Sequence, residues 1–369
     1  MILPVKKKLL IYGAGAIGRG YVPWVFPPSE YDFYYAEANK NLVDLLNKKG
    51  KFTAFKTVGN KYKKIVVPIK RCFLINEEKK ILSKVDAVIT AVGPRNIFTV
   101  AHNLKDITVP VVCFENDATA PEILRYLSNN QNAVFGIPDV ITSNTAPDDF
   151  KRKDPLSVIT EDGICYVDKK VKILGGNCRY VGEKELNKQW AAKLYLHNTP
   201  HCIAAYLASI LPAKYVHEGM RHKKIKTVVA GAMKEMQNYL LLKRKLNKPF
   251  VDWYAKKELR RFSNVLLYDP VIRVAREPFR KLAANERLLG AAQLCLSAGI
   301  IPKNILIGIM AAFYYDNSDD PDRNIRYLIK SLEPRDFLKI VMRLDKGSAL
   351  YTILLERWDD NLKFLKNLK

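Results

Sequence analysis

The 369-residue chain carries 61 lysines and arginines against 37 aspartates and glutamates, a formal charge of +24, and 48% of its residues are apolar. That apolar fraction excludes a disordered chain, and no apolar run is long enough for a membrane span. The lysines are spread along the whole sequence, with no polybasic tail and no aromatic–basic RNA motif, so the charge by itself names no partner.

The first predicted element is a strand over residues 9–12. The lysines before it, Lys6-Lys7-Lys8, lead into a strand pattern and not into the apolar region of a signal peptide, so a cytoplasmic protein is expected. The strand runs into Gly13-Ala-Gly15-Ala16-Ile17-Gly18-Arg-Gly20, a G-x-G-x-x-G in the strand–turn–helix context that dinucleotide binding needs. Gly13 permits the turn, Gly15 lets the backbone approach a pyrophosphate, and Gly18 lets the helix pack on the strand. Ala16 and Ile17 open that helix, whose free N–H groups favour phosphate. A second strand over residues 32–36 ends at Glu37, about twenty residues past Gly18, where an acid is expected to hold the adenosine ribose hydroxyls. Its charge would repel a 2′-phosphate, which favours NAD over NADP, while Lys40 nearby acts in the opposite sense.

A helix over 41–48 and short strands over 64–67 and 72–75 follow. The apolar run over 85–92 reads as a parallel strand with Ala91 and Val92 at its end, and ligands of open α/β sheets bind outside the carboxyl ends of strands. The strand over 109–114 ends at Glu115-Asn116. An asparagine there either turns its amide into a cleft or caps a helix, and the sequence leaves both open. Strands over 133–137 and 171–174 complete the set, and the Asp- and Pro-rich stretch 145–154 reads as a mobile edge. From about Gly182 strand-like runs stop, and helical periodicity predicts helices over 190–211, 225–246, 250–262, 285–298, 305–315, 322–331 and 334–344. The fold class is therefore α/β: a Rossmann-type dinucleotide-binding domain over 1–182 and a mostly α-helical substrate domain over 183–369. The six cysteines show no CxxC spacing and read as reduced thiols, and no clustered Asp/His or HExxH pattern calls for a metal.

Within the helical half, Lys193-Leu-Tyr-Leu-His197-Asn198-Thr-Pro200-His201 has a K-x4-N-x2-H spacing. On a helix at about 100° per residue, Lys193, His197, His201 and Asn198 fall at roughly 0°, 40°, 80° and 140°, so all four can face one cleft. Pro200 lacks the N–H that would bond the Leu196 carbonyl; the helix is expected to break or kink there, with Thr199 capping a new one. A lysine meeting a cleft in this way loses solvation and can act as a base. Spacing alone fits a solvated helix face with one satisfied histidine better than a catalytic set.

These motifs occur in a familiar order together with Thr90-Ala-Val-Gly-Pro94, Tyr215-x-His217-Glu218, Arg261-Phe-x-Asn264 and Asp269-x3-Arg273-Val-x-Arg276-x-Pro278-x-Arg280-Lys281-Leu282. The chain resembles the polyol-specific long-chain mannitol dehydrogenase family, in its mannitol-1-phosphate 5-dehydrogenase branch. The resemblance implies NAD-dependent, metal-independent interconversion of D-mannitol 1-phosphate and D-fructose 6-phosphate, in a cleft between the domains. It implies Lys193 as general base, Asn116 and Asn198 as donors to the developing alkoxide, His201 as a substrate-orienting group, and Arg273 and Lys281 lining the polyol site. Arg276 and Arg280 are added as candidates for the phosphate, since a guanidinium fork suits it. Pro200 and Cys202 depart from the Gly and Ala usual in the family. The partner implied is a small sugar phosphate or polyol, with no nucleic acid and no membrane, and a monomer is expected. The alternatives are a sibling acting on another polyol, polyol phosphate or hexuronate, and, from a different class, a non-catalytic basic Rossmann protein that binds nucleic acid.

Overall fold

Strand β1 (Lys7–Tyr12) is buried along its apolar run because both of its faces meet a core. Leu9 and Ile11 join one hydrophobic cluster, and Leu10 and Tyr12 join another on the opposite side. Such a strand reads as an unbroken apolar run, the mark of a parallel sheet covered on both faces. The computed structural model describes residues 5–171 and 175–368, so most of the strand expected over 171–174 lies outside the described residues.

The other strands of the sheet are β2 (Tyr31–Glu37), β3 (Lys51–Val58), β4 (Lys61–Leu74), β5 (Ala87–Thr90), β6 (Val111–Cys113), β7 (Ala133–Pro138), β8 (Thr142–Ser143), β9 (Val158–Glu161), β10 (Cys165–Asp168) and β11 (Cys178–Val181). Their order is β11-β10-β7-β6-β5-β1-β2-β4-β3-β9-β8. From β7 to β4 every pair is parallel, in the doubly wound order whose strand direction of growth reverses between β1 and β5. That switch point places the turn after β1 beside the turn after β5. Gly13 there has φ +92, and a Cβ on it would lie 2.5 Å from the Ala91 carbonyl oxygen.

Two parts of this unit differ from the sequence expectation. The short strands expected over 64–67 and 72–75 are one strand, β4, which pairs antiparallel with the unforeseen β3 in its first half and parallel with β2 in its second. Exposed basic residues, Lys61, Lys63, Lys64, Lys70 and Arg71, interrupt its apolar positions and hide the continuity of the strand in the sequence. The stretch expected to be a mobile edge contains a helix, Asp148–Lys153. It is pinned by Phe150 stacking on Phe55 at 4.2 Å and by the Thr53 N–H donating to Asp154 Oδ2 at 2.6 Å.

The residues up to Trp190 form one compact unit and those from Ala191 another. The second is helical, and its central element is Thr199–Ala208, buried on all sides and packed by the helices Lys223–Leu242, Val271–Ala275 and Lys303–Phe313. A helix that is apolar all round belongs at the middle of such a unit. Helices Ala349–Glu356 and Trp358–Lys366 were not expected from the sequence; Trp358 joins an aromatic cluster with Phe313 and Phe337. No helix among the described residues is long and apolar enough to cross a membrane.

The glycine loop predicts a split between two alanine substitutions. A Cβ on Gly18 would lie 2.0 Å from the Gly13 carbonyl oxygen, whereas one on Gly15 would meet nothing within 4 Å. Gly18→Ala should lose about 1–3 kcal/mol or more of stability in urea denaturation, as overpacking does. Gly15→Ala should stay within about 0.5 kcal/mol of the parent protein. Equal stabilities would show that the loop does not close on itself in this way.

Candidate active site

The loop after β1 is fastened by backbone and carboxylate together. The Gly13 N–H donates to the Ala36 carbonyl at 2.8 Å. Glu37 Oε2 accepts from the Ala14 N–H at 2.9 Å, while Oε1 accepts from the Ala38 and Asn39 N–H groups at 2.9 and 3.0 Å. Glu37 thus joins the end of β2 to the glycine loop and stands where an acid would meet a ribose. Ala16 and Ile17 open a π-helical segment, Ala16–Tyr21, in which the Val22 N–H reaches back five residues to Ile17. Arg19 is buried and spent on structure: its Nε donates to the Ala14 carbonyl at 2.5 Å and its Nη1 to that of Leu156. The open approach at Gly15 and the fixed acid at Glu37 fit the adenosine diphosphate half of a dinucleotide.

At the neighbouring strand ends, a buried Glu115 holds the loop after β5. Its two carboxylate oxygens accept from the Val92 and Gly93 N–H groups at 3.0 and 2.9 Å. Burial pushes the Glu115 carboxyl pKa up, and these N–H groups act against it. Ala91 donates its N–H to Tyr12, and the Val92 carbonyl accepts from the Asn96 amide, so both backbones are engaged within the protein. Asn116 is exposed, and the helix that follows, Ala120–Ser128, has Thr119 at its N-cap, so Asn116 does not cap it.

In the helical unit, the break expected at Pro200 is replaced by a widened turn. Helix Glu183–Ala192 continues into a π-helical segment, Lys193–Asn198, and on into Thr199–Ala208. The Thr199 N–H bonds the Leu194 carbonyl, five residues back, and the Thr199 hydroxyl donates to the same oxygen at 3.2 Å. Thr199 therefore does not cap a new helix. In a regular α-helix the Pro200 ring would clash with the carbonyl four residues back, and the wider turn relieves that clash. It also changes the phase: i→i+5 bonding carries position 198 round toward position 193, so the α-helical angles expected from spacing do not apply. Lys193, His197, Asn198 and His201 are all buried, at 5%, 6%, 7% and 7% exposure, which rules out a solvated face.

Two histidine–carboxylate pairs hold this turn. His197 Nδ1 lies 2.5 Å from Glu258 Oε2, and the other oxygen of Glu258 accepts from Arg261 Nη1 at 2.8 Å and pairs with Lys257 at 3.1 Å. His201 Nε2 lies 2.9 Å from Asp269 Oδ2, and Asp269 Oδ1 accepts from Arg273 Nε at 3.0 Å. Phe262 stacks on the His201 ring at 5.0 Å. Burial pushes the Asp269 pKa up, but the Arg273 charge and the His201 bond outweigh it and leave the carboxyl below its ordinary value. Burial pulls the His197 pKa down to about 4 against the opposing pull of Glu258, so this imidazole is neutral near pH 7. Asn198 Nδ2 is buried with no acceptor among the described residues.

The remaining candidates lie around the short helices Val271–Ala275 and Pro278–Lys281. Arg273 is engaged by Asp269, and Arg276 is exposed. Arg280 Nε donates to Glu277 at 2.9 Å. Lys281 is buried, with its ammonium donating to the Arg276 carbonyl. Burial, then the Arg287 and Arg280 charges, hold its pKa well below the ordinary lysine value. The sequence reading had no role for Glu115, Glu258 or Arg287. Among the described residues, no group of three or more His, Cys, Asp or Glu could hold a metal ion.

Residues 185–333 match the family described as mannitol dehydrogenase C-terminal domain. A mannitol-1-phosphate 5-dehydrogenase of Buchnera aphidicola subsp. Acyrthosiphon pisum (strain 5A) is 30% identical over 340 residues, covering 85% of this chain and 88% of that protein. One of Thermoanaerobacter pseudethanolicus is 28% identical over 379 residues, covering 96% and 97%. Among solved structures, a D-sorbitol dehydrogenase in substrate-free form is similar in fold, with a TM-score of 0.68, 14% identity, and coverage of 99% of this chain and 95% of that one. The chain belongs to the mannitol-1-phosphate 5-dehydrogenase family and is an oxidoreductase of the dehydrogenase type.

The His197 pair has a pH signature. As pH falls, the unfolded chain takes up a proton near 6.5, while the folded protein resists until about pH 4. The stability this contributes is complete above pH 6.5 and is lost progressively down to pH 4. Its size is at most about 3 kcal/mol for a shift of this extent. Urea denaturation across this range should show the slope in the parent protein and a flatter profile in His197→Gln. An unchanged slope in the variant would assign the titration to another group.

Proposed function

We propose that the chain interconverts D-mannitol 1-phosphate and D-fructose 6-phosphate with NAD, by metal-independent hydride transfer and with Lys193 as general acid and base. The observation that carries this reading is the widened turn itself: a buried lysine and a buried, acceptor-less Asn198 amide, on a segment held by two histidine–carboxylate pairs. The names of the relatives support the substrate, and Glu37 beside the glycine loop supports NAD over NADP.

In this scheme the glycine loop and Glu37 would hold NAD, which would supply a hydride acceptor for the alcohol carbon. Lys193 takes the hydroxyl proton during oxidation and returns it during reduction. Asn198 Nδ2 donates to that oxygen as negative charge develops on it, and we assign Asn116 as a second donor. His201, with Nε2–H donating to Asp269, keeps Nδ1 as an acceptor for a substrate hydroxyl, which orients the polyol. Arg273 and Lys281 border the polyol, and Arg276 and Arg280 add positive charge toward its phosphate. A nucleic-acid-binding module would have no use for a buried lysine and amide on one widened turn.

Two predictions test the roles. Lys193→Ala should lower kcat by about 10²–10⁴-fold, the usual contribution of a positioned general base. NADH binding, followed by fluorescence titration, should be retained. Turnover within about tenfold of the parent would place the base elsewhere. Asn198→Ala and Asn116→Ala should each lower kcat by about 10²–10³-fold, as loss of a donor to a developing oxyanion does. An effect confined to KM would mark the affected amide as a ground-state contact only.

A further inference from the structure

We propose that Arg287 is the principal phosphate ligand of this enzyme, acting with Arg280 and the Tyr206 hydroxyl in a buried cluster on the Asn198–Cys202–Tyr206 face of the central helix. The inference rests on the reading that the substrate is a polyol phosphate. Positions 198, 202 and 206 follow one another at the i, i+4 spacing of a helix face. From Asn198 to Tyr206 is roughly 12 Å at about 1.5 Å per residue, comparable to the length of a hexitol phosphate.

The groups of this cluster that lack a hydrogen bond among the described residues are donors. Arg287 is buried, and its Nε donates to Glu286 at 3.0 Å, while its Nη2 is buried with no acceptor. In Arg280, Nε is held by Glu277 at 2.9 Å, and Nη1 is buried without a hydrogen bond, paired only electrostatically with Glu286 at 3.7 Å. In each guanidinium a carboxylate fixes the Nε edge and leaves a terminal nitrogen without a hydrogen bond. The Tyr206 hydroxyl is fully buried and also lacks a partner. Lys281 lies beside it, its ammonium 5.8 Å from the Tyr206 ring. The Leu288 N–H donates to the Lys281 carbonyl at 3.3 Å, which brings Arg287 beside Lys281, and the Arg287 charge acts on Cys202, Tyr206 and Lys281.

Buried polar groups in native proteins are almost always paired, so several unpaired donors in one place point to an acceptor that arrives with a ligand. Guanidinium groups donate and never accept, which favours a dianion with several acceptor oxygens over polyol hydroxyls, each of which also carries a proton to donate. Arg276, the other sequence candidate, is exposed and lacks this preorganisation.

The test compares kcat/KM for mannitol 1-phosphate and mannitol in the parent enzyme, Arg287→Gln, Arg287→Lys and Tyr206→Phe, with the thermal midpoint of each followed as inorganic phosphate is added. In Arg287→Gln the preference for the phosphorylated substrate should fall by about 10- to 100-fold, the loss expected for a charge-assisted hydrogen bond, mostly through KM. Arg287→Lys should recover part of it. Inorganic phosphate should raise the thermal midpoint of the parent, and less so that of Arg287→Gln or Tyr206→Phe. Tyr206→Phe removes only the unpaired hydroxyl and keeps the test open if Arg287→Gln does not fold. A parent enzyme with no preference for phosphorylated substrate would overturn the functional reading. A parent that prefers phosphate alongside variants that retain both the preference and the phosphate stabilisation would overturn the role of Arg287 alone.

Discussion

A proline seven residues past a buried lysine sets the geometry of the helical unit. Pro200 can neither donate to the carbonyl four residues back nor fit beside it in an α-helix, and the chain answers with the i→i+5 turn over Lys193–Asn198. That turn leads into a helix buried on every side, Thr199–Ala208, and its own Lys193, His197 and Asn198 are buried, where each polar group must find a partner. Glu258 and Asp269 meet this requirement for His197 and His201, and their other oxygens are held in turn by Arg261 and Arg273. A lysine and an amide can therefore be kept in fixed positions at the middle of an apolar core.

The same principle recurs wherever a ligand is expected. Glu37 binds three backbone N–H groups around the glycine loop, and Glu115 binds two at the ends of β5 and β6. Glu277 and Glu286 hold the Nε edges of Arg280 and Arg287. In each case a carboxylate is spent on fixing the local structure, and at the two arginines the atoms left without a hydrogen bond are donors. Preorganised donors of this kind stabilise negative charge without reorganising at the moment of reaction. A substrate that is an anion and develops a further negative charge suits such a site better than a neutral one.

Features encoded by near neighbours were legible in the sequence. The apolar run of β1, the spacing of Gly13, Gly15 and Gly18, and the acid at Glu37 all follow from one βαβ unit. The α/β fold and the change to helices near Gly182 were also readable from periodicity. Glu258 and Asp269 were not readable as partners, because they pair with histidines 61 and 68 residues away. The widened turn was hidden for a different reason: Pro200 signals that an α-helix must yield, and a kink or break satisfies that signal as well as a π segment does. β3 was missed because Phe52 and Ala54 are separated by polar residues and its neighbour β4 is rich in lysine. The unpaired donors of Tyr206 and Arg287 depend on three-dimensional burial and leave no local pattern.

The central claim is a phosphorylated polyol oxidised with NAD. Its most direct test is a steady-state panel of mannitol, mannitol 1-phosphate, fructose and fructose 6-phosphate, each with NAD(H) and NADP(H), followed by the near-ultraviolet absorbance of reduced nicotinamide. The account predicts turnover chiefly for mannitol 1-phosphate with NAD and for fructose 6-phosphate with NADH. Equal turnover of mannitol and its phosphate, or a preference for NADP, would contradict it.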